Sequence, residues 1–283
     1  MKNRIVIIFA LLMLLLSVNT AFAALTEQYD QGQIDYEVGV IRVIGYGAPP
    51  ANASETVAPL LAMRAAKVDA YRNALEVIDN VRVSSATDVE SMMVTSDLVK
   101  TSVQGYIKGG QFEAPNYDAR GICTITLILP LSGQNGLASL MLNTVKSKPA
   151  APVLPMPEAL PMQTPEQAPY TGIVIDARTV GVKPALYPQL FDVDGYLLYG
   201  PTMVNTQQAE FTTMVAYSRT LEKAASMPRV GSNPLKLSAT SAIKASNGDT
   251  TDIILSSDAS KAFRQATSQS DILAKSAIVI VIN

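Results

Sequence analysis

Two periods of apolar and polar residues alternate along the chain. From Thr56 to Asp79 (TVAPLLAMRAAKVDAYRNALEVID) the period is helical: Leu61, Ala65, Val68, Leu75 and Ile78 recur at spacings of three, four or their sums, predicting one buried stripe. Beside it Ala62, Ala66, Ala70 and Ala74 repeat every fourth residue. That ridge has almost no side chain, so a sheet can approach it closely. Arg64, Lys67, Arg72, Asn73 and Glu76 take the remaining face. Pro59 fits the first turn, where amide donors lack helical partners, so the helix starts between Ser54 and Ala58.

Around this helix the period is two. Tyr36 to Tyr46 predicts a strand buried on much of both faces, ended by Gly45, Gly47 and Pro49-Pro50. Val81 to Val83 is a short strand, and a second helix starts at Ser96. Gln111–Asn116 and Gly121–Leu131 flank the turn Asp118-Ala119-Arg120-Gly121 and form a hairpin. The order strand, long helix, strand, helix, hairpin predicts an α+β domain with an antiparallel sheet covered on one face.

Residues 146–169 carry Pro149, Pro152, Pro155, Pro157, Pro161, Pro165 and Pro169. Proline at that density favours an extended, semi-rigid spacer, or a ligand for proline-binding modules. Beyond it, Ile173–Asp176 and Pro188–Asp192 predict strands, with Asp194-Gly195 turning the second into Tyr196–Tyr199. A helix is expected over Thr213–Ala225. Leu235–Ala245 and Thr251–Leu255 form a hairpin around Asn247-Gly248. Ser257 caps a helix with Ala259, Ala262, Phe263 and Ala266 on one side, and Ala277–Ile282 (AIVIVI) is an inner strand. The sequence thus predicts two α+β domains, 24–145 and 170–283, with mainly antiparallel sheets each packed on helices, as separate folding units joined by the proline-rich linker.

Composition adds a compartment. Lys2 and Arg4 precede the apolar run Ile5–Leu16, and Ala21-Phe22-Ala23 ends the segment, so residues 1–23 read as a secretory signal peptide. The run is too short to span a membrane, and no lipid-accepting cysteine follows it. Cleavage removes two basic residues and no acidic one, so a formal net charge of −2 becomes −4. No Lys/Arg cluster remains to neutralise a phosphate backbone, which argues against nucleic acid as a partner. Cys123 is the only cysteine, so the exported chain carries no internal disulfide; within the alternation Ile122–Leu127 it reads as buried, free and inert.

There is no histidine, which removes the commonest general base, Ser-His triads and most zinc sites. Gly45-Tyr46-Gly47 is a fragment of a dinucleotide-binding loop, but Pro49-Pro50 stop the helix that would receive a phosphate. No catalytic residue, metal ligand or cofactor is assigned. Three places carry polar groups that bear on interaction or turns. Asp176 and Arg178 form either a salt bridge at a strand end or a small polar site. Asp192 and Asp194, with Gly195, read as turn chemistry rather than a calcium loop, because no further acidic residue follows at the required spacing. Asn247 and Gly248 are turn residues.

Ala65–Asn80 (AAKVDAYRNALEVIDN), Ser96-Asp97 to Gly110, and Gly121–Leu131 resemble the bacterial Lpp-twenty-type lipoprotein domain, which is similar to the amino-terminal domain of flagellar assembly protein T. The resemblance covers residues 34 to 133; the missing lipobox cysteine sets the chain apart from the lipoprotein members and nearer to soluble periplasmic relatives. Tyr170-Thr171-Gly172, Ile175-Asp176-Ala177-Arg178, Lys183-Pro184-Ala185 and Asp194-Gly195 before Tyr199-Gly200 resemble a segment that accompanies this domain in exported bacterial proteins. The resemblance implies a non-enzymatic structural or assembly role in the cell envelope, with envelope proteins or flagellar basal-body components as partners. A periplasmic binding module for a small ligand or glycan is the alternative, which the absence of Trp disfavours for sugars.

Amino-terminal sequencing of the secreted form should return Ala24, with the protein in the soluble periplasmic fraction. An intact Met1 with firm membrane retention would contradict the export reading.

Overall fold

The computed structural model describes residues 25–147, 169–204, 213–245 and 247–283. The signal peptide 1–23, most of the 146–169 linker and Ser246 lie outside them.

The first lobe is built on a sheet with the spatial order β1 (Thr26–Tyr29), β2 (Gly32–Asp35), β3 (Val40–Gly47), β8 (Cys123–Pro130) and β6 (Gln111–Phe112). β1, β2 and β3 form an antiparallel meander. Residues 36–39, expected in the strand, are instead the turn between β2 and β3. Asp35 Oδ1 accepts from the amides of Glu37 (3.0 Å) and Val38 (2.9 Å), and Gly39 takes a positive φ of 77°, which ends the extended chain there.

Helix α1 (Ala58–Asp79) lies on β3, and its contact face is the alanine ridge. Ala62, Ala66, Ala70 and Ala74 are fully buried. A Cβ on Gly45 would sit 2.3 Å from the Ala66 carbonyl oxygen, and one on Gly47 2.1 Å from that of Ala62, so glycine and alanine together let the two backbones meet. This close approach rotates the helix away from the expected stripe. Leu61 and Leu75 are half-buried, while Ala65 and Val68 face solvent, Val68 at 59% exposure. Val77, Ile78 and Asn73 complete the buried face. Asn73, expected on the polar side, donates to the Ile44 carbonyl at 2.8 Å, and Asp69 accepts from the Tyr46 amide at 2.9 Å.

β4 (Arg82–Ser84) and β5 (Thr87–Asp88) make a two-stranded sheet, followed by α2 (Val89–Thr95) and α3 (Asp97–Lys108), which begins where expected, with Ser96 as its N-cap. β6 (Gln111–Phe112) and β7 (Asn116–Tyr117) both pair antiparallel with β8 (Cys123–Pro130), giving the hairpin with its first strand in two pieces. Cys123 is free and fully buried. Helix α4 (Leu137–Ser147) closes the lobe.

The second lobe holds β9 (Gly172–Asp176), β10 (Leu190–Asp192), β11 (Leu197–Tyr199), β12 (Ala216–Ser218), α5 (Leu221–Ser226), β13 (Pro234–Lys244), β14 (Thr250–Leu255), α6 (Ser257–Ser268) and β15 (Ile278–Val281). Its sheet order is β11-β10-β14-β13-β9-β15-β12. The α+β class holds, and both expected hairpins are antiparallel. The other four pairings, β10–β14, β13–β9, β9–β15 and β15–β12, are parallel, which corrects the expectation of a mainly antiparallel sheet here. β9 and β15 are buried on both faces, and their unbroken apolar runs suit parallel pairing across long connections. The helix expected over Thr213–Ala225 is two elements. Ala216–Ser218 pairs with β15, and Thr220 then caps α5 by accepting from the Lys223 amide. Ser256, rather than Ser257, caps α6.

Ala66→Leu or Ala70→Leu should destabilise the protein by roughly 1–3 kcal/mol through overpacking against β3, whereas Arg72→Leu on the exposed face should change it little. Equal urea midpoints for all three variants would contradict this packing.

Candidate functional site

The polar groups singled out in the sequence sit at separate places. Asp176 and Arg178 form a two-pronged ion pair, with Nε to Oδ1 at 2.9 Å and Nη2 to Oδ2 at 2.7 Å. The Arg178 hydrogen bond holds the Asp176 carboxyl below its ordinary pKa, and Asp176 raises that of Arg178. The Arg178 carbonyl accepts from Asn283 Nδ2 at 2.6 Å, which ties Asn283 to the segment just past β9. Asp192 Oδ1 accepts from the amides of Asp194 (3.0 Å) and Tyr196 (2.8 Å), and its carboxylate pairs with Arg264. Gly195 has φ 85°, so Asp192, Asp194 and Gly195 make a turn whose main acceptor is already engaged. Asn247 Oδ1 accepts from the Asp249 amide at 3.0 Å, and Gly248 has φ 89°. Among the described residues, no three His, Cys, Asp or Glu side chains are grouped to hold a metal ion.

What sequence reasoning missed is the joint between the lobes. The amides of Leu186 and Tyr187 donate to the carbonyls of Arg82 and Val83, each at 2.9 Å, so the second lobe pairs with β4. Arg82 Nε donates to the Pro184 carbonyl at 2.9 Å, and its guanidinium pairs with Glu27. The fully buried Tyr187 donates its hydroxyl to the Ala138 carbonyl. Lys146 Nζ donates to the Val204 carbonyl at 2.9 Å. Buried apolar residues of both lobes form one continuous core. The only sequence signal was Tyr187 itself, an aromatic hydroxyl in an apolar run that needs a partner when buried.

Beside this joint lies a cleft of about 460 Å³, lined by the Tyr36–Gly39 turn and Leu131–Gln134 of the first lobe and by Ala185, Leu186, Thr213, Val215–Tyr217 and Arg229 of the second. Glu37 pairs with Lys223 at 2.8 Å and accepts from Ser218 Oγ at 3.4 Å. Arg229 donates to the carbonyls of Thr213 (2.9 Å) and Ser276 (2.8 Å); burial lowers its pKa to about 10, so it stays charged at neutral pH. The Tyr217 hydroxyl accepts from the Ala185 amide and donates to the Ala185 carbonyl, and burial pushes its pKa up, so it stays neutral. Tyr36 meets Tyr217 edge to face at 6.2 Å. These groups orient one another, and none is set as a nucleophile beside a base.

Residues 172–283 match the family model of the second domain of Treponema pallidum Tp0624. The matched region takes in every strand of the second lobe, and the second lobe is similar to that domain. No curated protein matches the chain.

One acidic group is held at a cost. At the carboxy end of α1, Asp79 Oδ1 is buried with no hydrogen-bond partner among the described residues. Burial and the nearby carboxylates Glu90, Asp88 and Glu76 raise its pKa. A carboxyl raised in the folded state contributes stability below its unfolded pKa and loses it as pH rises through the folded value. Asp79→Asn should therefore raise the melting temperature at pH 7, with the gain shrinking towards zero as pH falls to about 4; a pH-independent difference would contradict this. Tyr187→Phe removes the hydroxyl bond to the Ala138 carbonyl and should cost about 0.5–1.5 kcal/mol in urea unfolding.

Proposed function

We propose that this is a non-enzymatic, exported protein of the bacterial cell envelope with a structural or assembly role. The joint carries this reading: two lobes fastened by backbone hydrogen bonds, a buried tyrosine and a shared core suit a rigid body that sets distances between partners. The signal-like residues 1–23 and the Lpp-twenty resemblance support placement in the periplasm, in association with the outer membrane. The partners are other envelope proteins, with flagellar basal-body components as the candidate complex; nucleic acid is not among them. Among the described residues no helix is long and apolar enough to cross a membrane.

A second reading, a periplasmic binding module for a small ligand or glycan, is favoured by the cleft, whose volume of about 460 Å³ falls within the range of small-ligand pockets. Photo-crosslinking in living cells separates the two. Val94 and Leu98, 82% and 78% exposed at the corner of α2 and α3, accept a crosslinking residue without disturbing the core. Adducts with discrete envelope proteins are expected. Their absence, together with a metabolite released on denaturing the purified protein, would favour the binding module.

A further inference from the structure

Among the described residues, the last strand of the second sheet, β12, pairs on one side only, with β15. The parallel register sets Tyr217 opposite Ile280 and Ser218 opposite Val281, and the Ile282 amide donates to the Ser218 carbonyl at 2.9 Å. Backbone groups alternate in direction along a strand. Those of Ala216 and Ser218 thus face β15, and those of Val215 and Tyr217 face away from it. Val215 and Tyr217 are 4% and 3% exposed, and no backbone hydrogen bond ties either to another described residue on that outer side. Buried backbone groups are nearly always paired, so an enclosed edge of this kind calls for a partner.

The room for one is next to it. Val215, Ala216 and Tyr217 line the cleft between the lobes, together with the Glu37–Gly39 turn. The edge presents donors and acceptors at the spacing of a polypeptide backbone, which is how an extended peptide adds a strand to a sheet. Apolar side chains such as Val38, Leu131 and Leu186 border the space, and Glu37 is already matched by Lys223. The complement is an extended segment with small apolar side chains. We propose that the cleft is a peptide-binding site in which an extended segment of another protein pairs with the outer backbone edge of Val215 and Tyr217. This inference rests on the cleft alone and holds whichever compartment or assembly the protein serves.

Panning a phage-displayed library of random seven-residue peptides on the full-length protein tests it. Enriched peptides, made synthetically, should slow hydrogen exchange at the Val215 and Tyr217 amides. They should weaken roughly tenfold or more when alternate backbone amides are N-methylated, because the pairing hydrogen bonds are lost. Val38→Trp, at a position 63% exposed on the cleft border, should block binding without lowering the melting temperature. The proposal is overturned if no peptide is enriched over the Val38→Trp protein, or if N-methylated peptides bind equally well. It is likewise overturned if the two amides in the free protein already exchange as slowly as those of β15, since another part of this chain would then cover the edge.

Discussion

The pairing of Leu186 and Tyr187 with the carbonyls of Arg82 and Val83 is the contact on which the arrangement of the molecule depends. A two-stranded sheet such as β4–β5 is marginal by itself in water, so the added pairing and the buried Tyr187 give that corner its stability. The position of Arg82 is inherited in turn from α1, which ends three residues earlier at Asp79. Because Gly45 and Gly47 admit the alanine ridge to backbone contact, α1 has a single seat on β3. A helix with larger residues on that ridge would stand further off the sheet and carry β4 with it. The joint and the cleft beside it are thus set by side chains that are absent.

This explains how much could be read in the sequence. The long helix, its alanine ridge, the helix start at Ser96, the antiparallel hairpins and the inner strand AIVIVI followed from local pattern. The choice of Leu61, Ala65 and Val68 as the buried stripe failed because periodicity ranks residues by hydrophobicity, whereas close approach rewards small size. Thr213–Ala225 misled for a related reason: its residues suit a helix, but the free side of β15 offered Ala216–Ser218 a ladder of hydrogen bonds. The parallel pairings were hidden because they join strands far apart in sequence. The polar groups chosen beforehand, Asp176 with Arg178, Asp194 with Gly195 and Asn247 with Gly248, fix strand ends and turns. The groups of the joint and cleft, Arg82, Glu37, Tyr187, Tyr217 and Arg229, are unremarkable singly in sequence and gain meaning only from partners distant along the chain, as far apart as Glu37 and Lys223.

The sheets themselves are distinct, each with its own strands and helices, while the apolar core runs on from one lobe into the other. A body of that kind holds the cleft open at fixed width, since one wall comes from each lobe. It also links the two aspects of the functional reading, because a rigid spacer and a preformed groove both need lobes that do not drift.

Severing the linker measures that directly. With a specific protease recognition sequence inserted between Pro155 and Met156, the cut protein should elute from a sizing column at the mass of the intact chain and melt in a single transition, because the joint and not the linker holds the lobes together. Two fragments that separate on the column and unfold independently would contradict this account.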